Sequence, residues 1–273
     1  MKKRLIIILN FVLFSVVLNA QEILDTAILR CKYTYNHVID TVNNKGYSEV
    51  MILEIGKNIC SFYCEKNRLF DSMVNAGDLD YMINSRNLNM SRMPRRNTNI
   101  ETELYFNYPS GKITVFDKIF ADKYEYVEDI ESIKWKLSGE IKSIIGYDCR
   151  KATCTFRGRD YEVWYTPDIP VNAGVWKFSG LSGLILKITE LKNQIQFECI
   201  SVKQMALPII KNVSKIDDAA KIISRKEFLN FKRKFYENSA AILNAHTVGS
   251  GTDANGNPLP PVRNLPYNPI ELE

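Results

Sequence analysis

Apolar and polar residues alternate along residues 27–40. Leu29, Cys31, Tyr33, Tyr35, His37 and Ile39 fall on one side, and Arg30, Lys32, Thr34, Asn36 and Asp40 on the other. Successive side chains of a strand point to opposite faces, so a period of two predicts a half-buried antiparallel strand. Asn43-Asn44-Lys45-Gly46 supplies a turn, and residues 48–55 and 58–64 continue as two further strands about Gly56-Lys57. Residues 68–84 suggest a short helix over Leu69, Phe70 and Met73, and the polar stretch 85–99 reads as an exposed loop. Strand patterns resume at 102–108 and 112–116 on either side of Pro109-Ser110-Gly111, which predicts a hairpin. Short runs at 120–127 and 135–137 follow. Residues 147–156 and 159–166 then flank a tight turn at Gly158, and 183–190 and 194–202 flank Lys192-Asn193. No strand–helix–strand alternation is present, so a doubly wound sheet is disfavoured. The expected fold is mainly β, an antiparallel curved sheet or half-barrel.

After Pro208 the period lengthens. Ser224-Arg225-Lys226-Glu227 has the form of a capping box, and Phe228, Phe231 and Phe235 recur at helical spacing. A C-terminal amphipathic helix over about 224–238 is therefore expected to lay an aromatic stripe on the sheet. From residue 247 Gly, Asn and Pro dominate, predicting a flexible tail over 247–273.

The opening of the chain changes the picture of where it works. Lys2, Lys3 and Arg4 precede an apolar run to Leu18 and a small residue, Ala20, the layout of a signal peptide over 1–20. Its apolar run falls short of the roughly 20 residues that span a bilayer, and no later stretch is longer, so the mature chain has no predicted transmembrane helix. Residues 21–246 then form a single domain, exported to the periplasm, associated with the outer membrane or secreted. Losing the three basic residues lowers the formal excess of positive charge from five to two. That near balance gives no case for nucleic acid. Export permits disulfides among Cys31, Cys60, Cys64, Cys149, Cys154 and Cys199, although residues 60 and 64 on one strand would stand about 13 Å apart, too far to bridge.

Turn residues and aromatics are densest between Trp135 and Ile188. Gly146-Tyr147-x-Cys149-x-Lys151-Ala152, Arg157-Gly158-Arg159-x-Tyr161, Trp164-Tyr165-Thr166, Ile169-Pro170 and Gly180-Leu181-Ser182-Gly183-Leu184-Ile185 occur there in order. With Tyr267-Asn268-Pro269-Ile270-Glu271 near the end, this series resembles the GLPGLI family of Bacteroidetes envelope proteins, from which Ser182 departs where that family has proline. The resemblance implies an exported β-rich protein of unestablished activity, partnering outer-membrane transport systems such as a TonB-dependent receptor. Similarity of the Gly-Tyr-x-Cys element to lipoprotein-carrier-like folds adds the alternative of a carrier for a lipid or other hydrophobic ligand.

Candidate chemistry is sparse. The chain has only His37 and His246 as histidines, and neither a Gly-x-Ser-x-Gly turn nor a His-Glu-x-x-His helix. A Cys149 thiol served by His37 gives a thiol-dependent enzyme as a third reading. Cys60-x-x-x-Cys64 lacks partners for zinc, and no cofactor is expected. Trp164, Tyr165, Trp176 and Phe178 flank a loop punctuated by Pro and Gly, and aromatics there would supply rigid contact area. The leading expectation is thus a non-enzymatic binding protein of the cell envelope that uses those four residues.

Overall fold

The computed structural model describes residues 22–76, 100–172, 174–211, 220–246 and 263–272. A first meander comprises β1 (Ile23–Asp40), β2 (Lys45–Gly56) and β3 (Cys60–Cys64), then α1 (Glu65–Ala76), β4 (Glu103–Phe106), β5 (Lys112–Ile119) and β6 (Asp122–Asp129). A second comprises β7 (Lys136–Ile144), β8 (Tyr147–Phe156), β9 (Arg159–Thr166), β10 (Leu184–Glu190) and β11 (Ile195–Ile210). A short β12 (Lys221–Ile222) precedes α2 (Arg225–Glu237) and α3 (Ser239–His246). All twelve strands join one sheet in the order β12-β6-β5-β4-β3-β2-β1-β11-β10-β9-β8-β7. Strands supply 53% of the described residues, and the sheet does not close into a barrel. The mainly β fold with a C-terminal helix is as the residue pattern predicts. The sheet is mixed because β12 runs parallel to β6.

Turn chemistry sets the hairpins. Phe156 pairs with Arg159, and the two residues between them, Arg157 and Gly158, have φ of 51° and 75°. Positive φ at both central positions is the turn whose twist matches that of paired strands, and glycine adopts it without a Cβ clash. Ile145-Gly146 repeats the device between β7 and β8. Gly183 answers a different need, since a Cβ there would lie 2.1 Å from the Thr166 carbonyl oxygen.

The connection from β9 to β10 turns into the apolar core. Phe178 is fully buried, with its ring centroid 4.9 Å from that of Tyr161 and 5.2 Å from that of Phe156. Leu181 and Leu184 are buried beside it. All six cysteines are buried as thiols. Burial pushes the Cys149 and Cys199 thiols up to about 11 and the Cys60 and Cys154 thiols up to about 12, so they stay protonated near neutrality.

The capping box at α2 is complete: Ser224 Oγ accepts from the Glu227 N–H at 3.2 Å, and Glu227 Oε2 accepts from the Ser224 N–H at 2.9 Å. Phe228 packs on Tyr126 and Tyr124. Phe231, expected in the stripe, is 44% exposed. At about 100° per residue, Phe228, Lys232 and Phe235 share an arc of about 60° that leaves Phe231 at its edge. Lys232 therefore occupies the inward position. The short helix expected over Leu69, Phe70 and Met73 forms as part of α1, which starts at Glu65, while residues 77–99, with the polar stretch 85–99, and the expected signal peptide lie outside the described residues.

Candidate functional site

Between α2, the ends of β5 and β6, the β1–β2 hairpin and residues 265–271 lies a cavity of about 610 Å³. Its walls include Tyr47, Tyr126, Trp176, Phe228, Phe235 and Tyr267, and its polar groups include His37, Asp117, Lys232 and Glu271. The aromatic walls come from the helix stripe (Phe228, Phe235), the strands (Tyr47, Tyr126), the β9–β10 connection (Trp176) and the C-terminal segment (Tyr267).

Asp117 is 5% exposed at the end of β5. Its Oδ2 accepts from Lys232 Nζ at 2.7 Å and from Thr102 Oγ1 at 2.9 Å, and its Oδ1 accepts from the Lys118 N–H at 2.7 Å. Burial works against the Lys232 charge, but the attraction and hydrogen bond of Asp117 outweigh it and hold the ammonium above its usual range. The cavity thus contains a paired carboxylate and ammonium with aromatic surfaces around them.

His37 Nε2 lies 2.7 Å from the carbonyl oxygen of Asn268. A carbonyl only accepts, so Nε2 carries the proton and Nδ1 accepts from the hydroxyls of Tyr35 and Tyr47, at 2.9 and 3.2 Å. Burial lowers the imidazole to about 4; the Asn268 carbonyl opposes that shift, and the Arg159 and Lys232 charges add to it. His37 is therefore neutral at pH 7 with both ring nitrogens engaged. It is not a base for Cys149, whose Sγ contacts the Tyr147 carbonyl oxygen.

Residues 263–272, which the sequence places in a flexible tail, run along the body and close one wall of the cavity. Tyr267 stacks on Tyr236 with centroids 4.5 Å apart. Glu271 Oε1 lies 2.5 Å from Lys177 Nζ, and Glu271 Oε2 accepts from Arg225. Desolvation opposes its ionisation, yet the Lys177 and Arg225 charges hold the Glu271 carboxyl below its usual range. Lys177 Nζ also lies 2.5 Å from Glu128 Oε1, and Arg157 bridges Glu128 to Glu131 at 3.0 Å each.

The four aromatics singled out from the sequence separate. All are at most 7% exposed. Trp176 lines the cavity. Phe178 fills the core beneath it. Trp164 donates to Glu162 at 2.9 Å with the Lys142 and Lys151 ammoniums over its ring, and Tyr165 is buried on the same strand. Arg159, read as a structural motif residue, instead reaches the tail. Reasoning from sequence missed Asp117, Lys232 and Asn268. A lysine inside an otherwise apolar helix stripe was the available signal.

Residues 71–232 match the family model described as "N-glycanase peptide, N-terminal domain", more than half of the 273-residue chain. The chain belongs to this family. No curated protein matches it. Two solved structures of PNGF-II, in P21 and C2 space groups, are similar at 15% and 16% identity with TM-scores of 0.49 and 0.48; each matches 77% of this chain. The chain spans about a third of the length of those proteins, 34% and 33%.

Family membership corrects two expectations. The resemblance to the GLPGLI family is overturned by the match over 71–232. Its motif residues Gly146, Gly158 and Gly183 serve backbone geometry, which unrelated β-sheets need equally. The expectation of a non-enzymatic binding protein, with the lipid-carrier alternative, falls with it, because the matched family is named for a glycan-cleaving enzyme.

Proposed function

We propose that this chain is a glycan-cleaving module that acts in hydrolysis of the linkage between an N-linked sugar and its asparagine, with the cavity under α2 as the place where the sugar sits. The family match carries this reading, because residues 71–232 contain Asp117, Tyr126, Trp176, Phe228 and Lys232. The cavity suits a carbohydrate. Aromatic rings offer flat apolar area to the faces of a sugar, while Asp117 and Lys232 offer an acceptor and a donor to its hydroxyls. Asp117, whose carboxylate faces the cavity beside Lys232, is also the group proposed to take a proton from an attacking water. Export, motivated by residues 1–20, belongs to the same proposal because it would bring the module to glycoproteins outside the cell.

The test is release of glycan from a denatured N-glycosylated protein, followed by mass spectrometry of both products. Asp117→Asn and Lys232→Met, each shown by circular dichroism to be folded, should lower the rate at least about 100-fold, the range for a positioned acid or base. Unchanged release by both variants would remove the cavity from the reaction. Absence of release from the wild-type chain, together with no NMR perturbation of cavity residues by a free N-glycan, would overturn the proposal.

A further inference from the structure

The side chain of Asn268 is read at every polar atom. Its Nδ2 donates to the Val38 carbonyl oxygen at 2.6 Å and to Gln194 Oε1 at 3.1 Å, and its Oδ1 accepts from Arg159 Nη2 at 2.6 Å. The backbone is read too. His37 donates to the Asn268 carbonyl, and Arg159 Nε and Nη2 donate to that of Pro269 at 3.1 and 2.6 Å. Pro269 brings no N–H that would need a partner, and proline holds the residue before it extended.

Two features mark this as a docking site for a peptide segment. Residues 263–272 form no strand, and the backbone–backbone bond that ties them to the body is Leu272 N–H to the Arg157 carbonyl at 3.0 Å. Side chains do most of the holding. Those side chains are also positioned by the body itself. Arg159, 4% exposed, donates to Gln194 Oε1 at 3.2 Å and lies 3.6 Å from Glu190, and Lys177 keeps Glu128 and the Tyr126 hydroxyl. The cradle side chains thus have partners within the body as well as in the segment.

We propose that this cradle is a peptide-binding site for an extended segment carrying an unmodified asparagine, then proline, then a glutamate three residues after the asparagine, and that residues 267–271 are its resident, exchangeable occupant. Specificity follows from the donors. The Val38 carbonyl only accepts, so an aspartate would set a carboxylate oxygen against it. Both Nδ2 hydrogens are used, so an asparagine bearing a sugar is excluded. The cradle adjoins the proposed glycan site, whose wall includes His37, Asn268 and Glu271, but the inference rests on the contacts of the segment itself and does not depend on that reading.

The tethered segment competes at an effective concentration on the order of millimolar, so the full chain should bind a labelled peptide of residues 264–273 only weakly. A full chain carrying Asn268→Asp, with its own segment weakened, should bind that peptide at least 10-fold more tightly, and should ignore the same peptide carrying Asn268→Asp. A folded variant that binds neither peptide, or both alike, overturns the proposal. If the variant does not fold, amide exchange of the wild-type chain decides. The Leu272 amide should exchange at least 100-fold faster than the paired amides of β1, and exchange at the β1 rate would mean that the segment never leaves.

Discussion

The β8–β9 hairpin with the inward connection above it, and the corner where α2 meets β5, β6 and the C-terminal segment, are both buried, but by opposite means. Around Phe178 the neighbours are Tyr161, Phe156, Trp176 and Trp135, and packing comes from rings at centroid distances of 4.9 to 6.3 Å. At the α2 corner Lys177, Glu128, Glu271 and Arg225 form one ionic group and Asp117 and Lys232 another, with a cavity lined by Asp117, Lys232 and Glu271. Apolar packing stabilises through area and density alone. Buried ion pairs return little net stability after desolvation, so chains keep them where specificity or chemistry needs them. The contrast separates a region that holds the fold from one that the proposals above put to use.

The largest expected effect tests the apolar side. Phe178→Ala should destabilise the fold by about 3–5 kcal/mol, the cost of truncating a buried aromatic, read from denaturant unfolding. A loss under 1 kcal/mol would mean that the connection is not part of the core, and the contrast would fail.

The polar corner should respond to acid. His37 is held near 4 in the folded protein against 6.5 for an ordinary histidine, so the unfolded chain binds the proton first. Its contribution is complete above pH 6.5 and is lost progressively between 6.5 and about 4, amounting to about 3 kcal/mol. Glu271, whose carboxyl is held below its ordinary 4.5, loses its contribution in the same direction but at lower pH. The window from 6.5 to 4.5 therefore isolates the histidine, and His37→Gln should flatten the fall of melting temperature across it. An unchanged fall in that variant would assign it to other groups.

The smallest effect concerns the cap that fixes the start of α2 beside Arg225. Ser224→Ala should cost about 1 kcal/mol, with glycan release, where measured, changed little. A cost above 3 kcal/mol would show that the cap holds the ionic corner as well as the helix.

Much of the sheet was legible because a period of two leaves a trace in any half-buried strand; β8 and β9 fall at the bounds that the pattern of 147–156 and 159–166 suggests. The helix over 225–237 announced itself by its capping box. The site did not. Asp117 and Lys232 meet across 115 residues, and Arg159 and Asn268 across 109, so no local spacing encodes either pair. The framed aromatics misled for a related reason. Pro and Gly around Trp176 and Phe178 signal a change of direction, but the sequence does not say whether the chain turns outward to solvent or, as here, into the core.

The sheet order has a consequence for how the protein comes to be made. Strands β1 to β6 can pair as they emerge during synthesis, and so can β7 to β11, but within the sheet the two groups pair only where β1 lies against β11. That pairing brings Ile23 opposite Ile210, so the first described strand waits for nearly the last. Until then β1 presents an unpaired edge, and such an edge is a template for another chain. The step that joins the two groups closes a long loop and should limit the rate of folding. The span of synthesis between β2 and β11 is accordingly when a nascent copy is most exposed to pairing with its neighbour.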